Sequence, residues 1–118
     1  MRSVSLAILA IFGFVSISSA QIKTSDKAVI KTLTVACDNC RDYIEFTLGH
    51  EYGVTSVKVD IKKKTTTVTW LTDRTTKENI KTAIANIGYD ADDIEAEPSA
   101  WRGLPQECKK HIPKPKVN

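Results

Sequence analysis

The chain has 118 residues, 17 basic and 14 acidic side chains, a formal charge of +3 at pH 7, and three cysteines. So small an imbalance, with no basic cluster interleaved with aromatics ahead of the C-terminal end, excludes an electrostatic nucleic-acid binder. An odd cysteine count leaves at least one thiol outside any intramolecular disulfide and argues against a disulfide-stapled scaffold.

The first twenty residues read as a secretory leader. Arg2 gives a short basic start, residues 6–17 form an apolar run, and Ser18-Ser19-Ala20 supply small residues for cleavage. A membrane span needs roughly 20 apolar residues, more than this run contains. No cysteine lies beside Ala20, so a lipid-modified N-terminus is not available. The expectation is an exported protein, periplasmic in location, whose mature chain begins at Gln21. Loss of Arg2 lowers the charge from +3 to +2, and what remains is enough for one small domain. The chain then divides into a leader at 1–20, a linker at 21–27, a domain at 28–97 and an extension at 98–118.

Within the domain, Val29, Leu33 and Val35, with Ile30 between them, predict a first strand over 29–35. Cys37-Asp38-Asn39-Cys40 follows, and Cys40, Ile44 and Leu48 then recur at helical spacing over 41–48, stopping by residues 49–53. Val54, Val57, Val59 and Ile61 predict a second strand, Lys62-Lys63-Lys64 a turn, and 65–71 a third strand with Val68 and Trp70 on one face. So short a connection permits only an antiparallel hairpin. Thr75 or Thr76 is placed to cap a second helix, with Ile80, Ala83, Ile84 and Ile87 on its inner face and Gly88 at its end. A fourth, edge-like strand is expected over 89–96, although it carries Asp90, Asp92, Asp93 and Glu95. The order βαββαβ is that of an α+β, ferredoxin-like sandwich: a four-stranded antiparallel sheet with two helices on one face.

The two cysteines therefore fall where a strand gives way to a helix. A soft metal ion is bound by thiolates, and a thiol with a pKa of about 8.5 is little ionised at pH 7. Amides and the dipole at a helix N-terminus lower the proton cost of binding. The same spacing serves a redox disulfide, or an inert crosslink whose loop is too small to constrain the unfolded chain much. A redox centre of the thioredoxin kind sits in a larger fold, and no proline precedes Pro98 in the second half of the domain to face the pair. A closed structural zinc site takes four protein ligands, so two thiols point to an open, transferable site.

Residues 28–95 resemble the heavy-metal-associated domain found in copper chaperones, metal-pumping P-type ATPases and the periplasmic mercury-binding proteins. The resemblance is carried by Cys37-Asp38-Asn39-Cys40, Ile44-Glu45, Leu48, Gly53-Val54, Ser56-Val57, Val59-Asp60, Val68, Ile80, Ala83-Ile84 and Gly88-Tyr89-Asp90-Ala91. It implies capture of a soft ion, Cu(I), Hg(II) or Zn(II), by Cys37 and Cys40. Where the family commonly has Gly-Met-Thr or Gly-Met-His before the first cysteine, this chain has Thr34-Val35-Ala36, with Val35 as the buried plug. Tyr89 stands at the family's aromatic or lysine position, either shielding the ion or serving as a core tyrosine with its hydroxyl exposed. Asp38 either complements the helix dipole or lends the site a harder ligand.

The extension carries two large apolar residues, Trp101 and Leu104, at helical spacing, and these are expected to dock on the domain. The path from Ala96 to Cys108 spans up to about 40 Å extended or about 18 Å helical, enough to return to the thiol loop. Cys108 is thus a candidate third ligand and His111 a candidate fourth; the alternatives are a free thiol and a solvated imidazole. Lys109, Lys110, Lys114 and Lys116, with Pro113 and Pro115 among them, read as a solvated, unstructured end. His50 is expected on the surface, away from the thiols. No paired nucleophile and base and no phosphate-binding loop occurs, so the chain is expected not to be an enzyme. The expected function is capture of a soft ion and its delivery to a membrane transporter or another thiol-bearing acceptor. The protein is expected to act as a monomer, or as two copies bridged by metal. The rivals are a thiol-disulfide redox protein and a metal-free adaptor of a transporter.

Overall fold

The computed structural model describes residues 24–112. The expected leader, its cleavage point before Gln21 and residues 113–118 of the expected unstructured end lie outside the described residues, whereas Lys109 and Lys110 of that end are folded, in and directly after a short helix packed on the domain. Three strands and two long helices follow in the order β1 (Ser25–Lys31), α1 (Asp38–Gly49), β2 (Val54–Asp60), β3 (Thr65–Leu71) and α2 (Lys77–Ile87). The sheet is antiparallel with β3 central, in the order β1-β3-β2.

The register explains the core. Thr66 of β3 stands opposite Ile30 of β1 and Val59 of β2, and Val68 opposite Ala28 and Val57. Successive strand residues point to opposite faces, so Thr66, Val68 and Trp70 all turn inward. Cys40, Ile44 and Leu48 of α1 and Ile80, Ala83 and Ile84 of α2 belong to the same buried cluster. The Thr66 hydroxyl would be costly in such a place without a partner; it pairs with Thr32 Oγ1 at 2.9 Å. Thr76 caps α2 by accepting from Asn79 N at 3.2 Å, and Gly88 ends it at φ +118°. Lys64, at φ 55°, closes the β2-β3 hairpin.

Two elements differ from expectation. The first strand begins at Ser25, inside the expected linker, and ends at Lys31 rather than running over 29–35. Its inward residue is Ile30, while Val29 and Leu33 are 59% and 61% exposed. Pairing with β3 fixed the phase, and a shift of one residue exchanges the faces. Beyond Lys31 the chain turns: Thr32 N donates to Lys64 O at 2.9 Å and Val35 N to Thr32 O at 3.1 Å.

The expected fourth strand is reduced to one antiparallel bridge between Ala91 and Ile94. Aspartates here engage the backbone in place of a ladder: Asp92 Oδ1 accepts from Lys31 N at 2.7 Å and Asp90 Oδ1 from Ala96 N at 2.8 Å. Asp92 takes φ 53°, which turns the chain, and its N–H reaches Lys31 O at 2.9 Å. The bend is pinned to α2 by Asp93, which pairs with the buried Lys81.

The extension is folded. Glu97 N donates to Ala85 O at 2.9 Å, a 3₁₀ turn covers Pro98–Gly103, and a short helix α3 covers Gln106–Lys109 against α1. Leu104, Cys108 and Ile112 are buried in the main core, and the half-buried Trp101 donates Nε1 to Ile112 O at 2.9 Å. Full burial of such an aliphatic side chain contributes about 1.5–3 kcal/mol, enough to hold a short segment in place.

Leu104 of the extension packs directly over Gly88: a Cβ there would stand 3.0 Å from Leu104 Cδ2. The strain of its left-handed backbone and this clash add, so Gly88→Ala should lower stability by about 1–3 kcal/mol in urea denaturation. Gly49, where an added methyl would meet nothing within 4 Å, should tolerate alanine or gain up to about 0.5–1 kcal/mol.

Candidate metal centre

The turn after β1 delivers the thiols. Val35 is wholly buried and plugs the end of the core, so the chain must emerge at Ala36 and re-enter as α1. Cys37 is the residue preceding α1, with extended backbone (φ −151°, ψ 168°), and Cys40 lies in the first turn on the same stripe as Ile44 and Leu48. The loop is braced from two sides. Lys64 Nζ donates to the carbonyls of Leu33 and Val35 at 3.4 Å each, and Asp90 N donates to Thr34 Oγ1 at 3.3 Å.

Cys37 Sγ and Cys40 Sγ are 3.1 Å apart as a hydrogen-bonded thiol pair, and all three cysteines are free. The extension brings Cys108 to the same point, so that the three sulfurs lie within 4.8 Å of one another. Cys40 and Cys108 are fully buried and Cys37 half-buried. Tyr89 completes the wall. It is fully buried, its hydroxyl makes no hydrogen bond, and it lies beside Cys40 and Cys108.

The thiols are not equivalent electrostatically. Burial disfavours a charge on Cys40, but the nearby Cys108 and Cys37 thiols, the Tyr89 hydroxyl beside it and the Ala36 amide together outweigh burial, and the Cys40 pKa is lowered. Burial raises Cys37, as does its bond to Cys40, despite the amides of Cys40 and Asn39; those amides do not close a formal cap. Burial first, and then the neighbouring Cys40, push Cys108 up to about 12. Burial and the same two thiols push the Tyr89 phenol well above its usual range. In the metal-free cluster Cys40 is therefore the thiol that ionises most readily.

Other sequence-derived candidates fall outside the cluster. Asp38 is exposed and pairs with Arg41 at 3.5 Å, which leaves it the role of complementing the α1 dipole. His111 is exposed just past α3, and the cluster does not include it. His50 caps the opposite end of α1, with Nδ1 2.7 Å from Phe46 O. Of the two readings of Tyr89, the one with its hydroxyl exposed is overturned by its burial. The sequence carried one signal for that: Tyr89 directly follows the glycine that ends α2, so the chain turns back onto the core there.

Residues 29–90 match the family described as the heavy-metal-associated domain. A copper chaperone CopZ from Staphylococcus haemolyticus is 39% identical over 62 residues, which cover 52% of this chain and 91% of that protein. In structure, the chain is similar to oxidised MerP from Ralstonia metallidurans, with a TM-score of 0.55 at 19% identity, covering 58% of this chain and 94% of that one. A copper-binding domain from HMA7, a P-type ATPase, gives a TM-score of 0.54 at 23% identity, covering 56% of this chain and 89% of that one. These likenesses establish the ferredoxin-like fold.

The shifts of the thiols set a pH dependence. Cys40 ionises more readily folded than unfolded, so its stabilisation is present above the ordinary value of 9.0 and is lost as pH falls through its lowered value. Cys108 is the reverse: its contribution is present below 9.0 and is lost as pH rises towards about 12, with Cys37 acting in the same sense. Urea denaturation under reducing conditions should show stability declining above about pH 9, and Cys108→Ser should remove much of that decline.

Proposed function

Since the chain belongs to the heavy-metal-associated domain family, we propose that it captures one soft metal ion between Cys37 and Cys40 and passes it on, or retains it, by thiolate exchange. The observation that carries this reading is the pair of free thiols, 3.1 Å apart at the start of α1, where the amides of Asn39 and Cys40 work against the burial that raises Cys37. The donor set fits the cargo: the cluster is made of sulfurs alone, with no carboxylate or imidazole in it, and sulfur selects soft ions. Copper(I) is the first candidate, supported by the similarity to a copper chaperone, with mercury(II) and zinc(II) as the other arms of the test.

Capture is a ligand substitution. Incoming ion meets Cys37 first, because it is the more exposed sulfur, and is then drawn to Cys40; two protons leave to solvent and no electron moves. Release runs the other way, with an acceptor thiolate attacking the ion as Cys37 departs. The acceptor in this reading is a membrane transporter or another thiol-bearing protein, supported by the likeness to a domain of a P-type ATPase. The leader-like first twenty residues support export, with the periplasm as the proposed place of work. The proposed role requires no catalysis.

Titration of the reduced protein with Cu(I), Hg(II) and Zn(II), followed by mass spectrometry, should give one bound ion and a preference for the softer metals. Cys37→Ser and Cys40→Ser should each weaken binding by about 100-fold or more, the share of one thiolate in a strong metal site. Absence of metal binding together with electron exchange to a disulfide substrate would instead establish the redox reading.

A further inference from the structure

The family match ends at residue 90, and Cys108 lies beyond it on a segment that folds back over the site. We propose that the extension supplies Cys108 as a third sulfur ligand, so that the captured ion is three-coordinate and enclosed by this chain alone. The proposal rests on the metal-capture reading above and deepens it.

Geometry carries it. With a metal–sulfur distance of about 2.3 Å, three sulfurs around one ion stand about 4.0 Å apart, and two sulfurs in a linear pair about 4.6 Å. The three sulfurs here lie within 4.8 Å of one another before any ion is present. Cys108 is not carried there by the site itself. Leu104 against Gly88, Ile112 in the core, the Trp101 bond to Ile112 O and the Glu97 bond to Ala85 O fix the segment independently of the thiols. A metal therefore finds the third donor already in position, and little ordering entropy is lost on binding.

Tyr89 is a second, independent observation. A fully buried hydroxyl without a hydrogen bond is a cost to the folded chain, and this one lies beside the Cys40 and Cys108 sulfurs. Metal-bound thiolates are strong acceptors, so loading the site gives that hydroxyl its partner and holds the two inner sulfurs in orientation. The step balances simply: three metal–sulfur bonds form, three S–H bonds break, three protons go to solvent, and the ion keeps its oxidation state.

The consequence is retention. A two-sulfur ion is open to an acceptor on most sides, whereas here Cys37 is the only partly exposed ligand and Cys40 and Cys108 are sealed beneath it. Transfer begins at Cys37 and finishes when the acceptor displaces Cys108.

The test uses the reduced full chain loaded with one equivalent of Cu(I) and, separately, Hg(II). X-ray absorption should count three sulfur neighbours in the natural protein and two in Cys108→Ser, and competition with a chelator should show the natural protein holding its ion at least about 10-fold more tightly. Tyr89→Phe should keep three sulfurs while weakening retention. Two sulfurs in the natural protein, or equal retention in Cys108→Ser, overturns the third-ligand proposal and leaves capture by Cys37 and Cys40 standing. No ion bound by the natural protein overturns both. The sulfur count on the natural protein decides the matter even if Cys108→Ser does not fold.

Discussion

Cys40 is held by two demands at once. It is a core residue, wholly buried on the stripe that includes Ile44 and Leu48, and it is one of three sulfurs at a single point. A side chain packed in that way has no freedom to adjust its position to a ligand, because interiors are close-packed and resist displacement. Everything else in the cluster is arranged around that fixed sulfur: Cys37 one turn earlier, Tyr89 on the chain leaving α2, and Cys108 on the returning extension. The stability of the α/β core and the precision of the thiol site are therefore the same property. A cavity made under Cys40, at Ile44 or Ile84, would loosen both together.

The segment from 89 to 97 links the domain to its extension. Had it paired along β1 as a full strand, its backbone would have run straight along the sheet edge. Instead its aspartates accept backbone hydrogen bonds, Asp92 from Lys31 and Asp90 from Ala96, and the chain bends back across α2 to meet Ala85. The bend also reaches the thiol loop through Asp90 N and Thr34 Oγ1. Acidic residues that make a poor strand make a good turn, since short carboxylates satisfy amides that a ladder would otherwise serve.

Much of this was legible in the sequence, and the reasons are local. Alternation in 65–71 named the inward Val68 and Trp70, and Thr76 and Gly88 bounded α2, because the spacing of side chains and the chemistry of caps are encoded residue by residue. The cysteine pair was legible from its place between two periodicities. The phase of β1 was not: Val29 and Ile30 are adjacent and similar, and only pairing with Thr66 and Thr67 decides which faces inward. For Cys108 the sequence supplied reach and two apolar anchors, but the end point depended on Leu104 finding the space above Gly88, a tertiary fit without a sequence signature. His111, three residues further, shows the converse. Spacing suited to a ligand pair says nothing about where the chain goes once a short helix ends.

The charge state of the cluster connects its structure to its chemistry. In a buried site, three thiolates without a counterion would repel one another in a poorly screened setting, so in the metal-free chain Cys40 is the easiest of the three to ionise while Cys37 and Cys108 hold their protons more firmly. The S–H groups of Cys37 and Cys108 lie beside Cys40, where they favour a charge on it in place of a metal. An arriving cation supplies positive charge where those protons stood, and the same burial that raises Cys37 and Cys108 without metal strengthens their attraction to an ion. Burial thus makes the empty site reluctant to ionise and the filled one reluctant to release. Only Cys37 escapes part of that constraint, and its partial exposure is what allows an enclosed site to exchange its cargo at all.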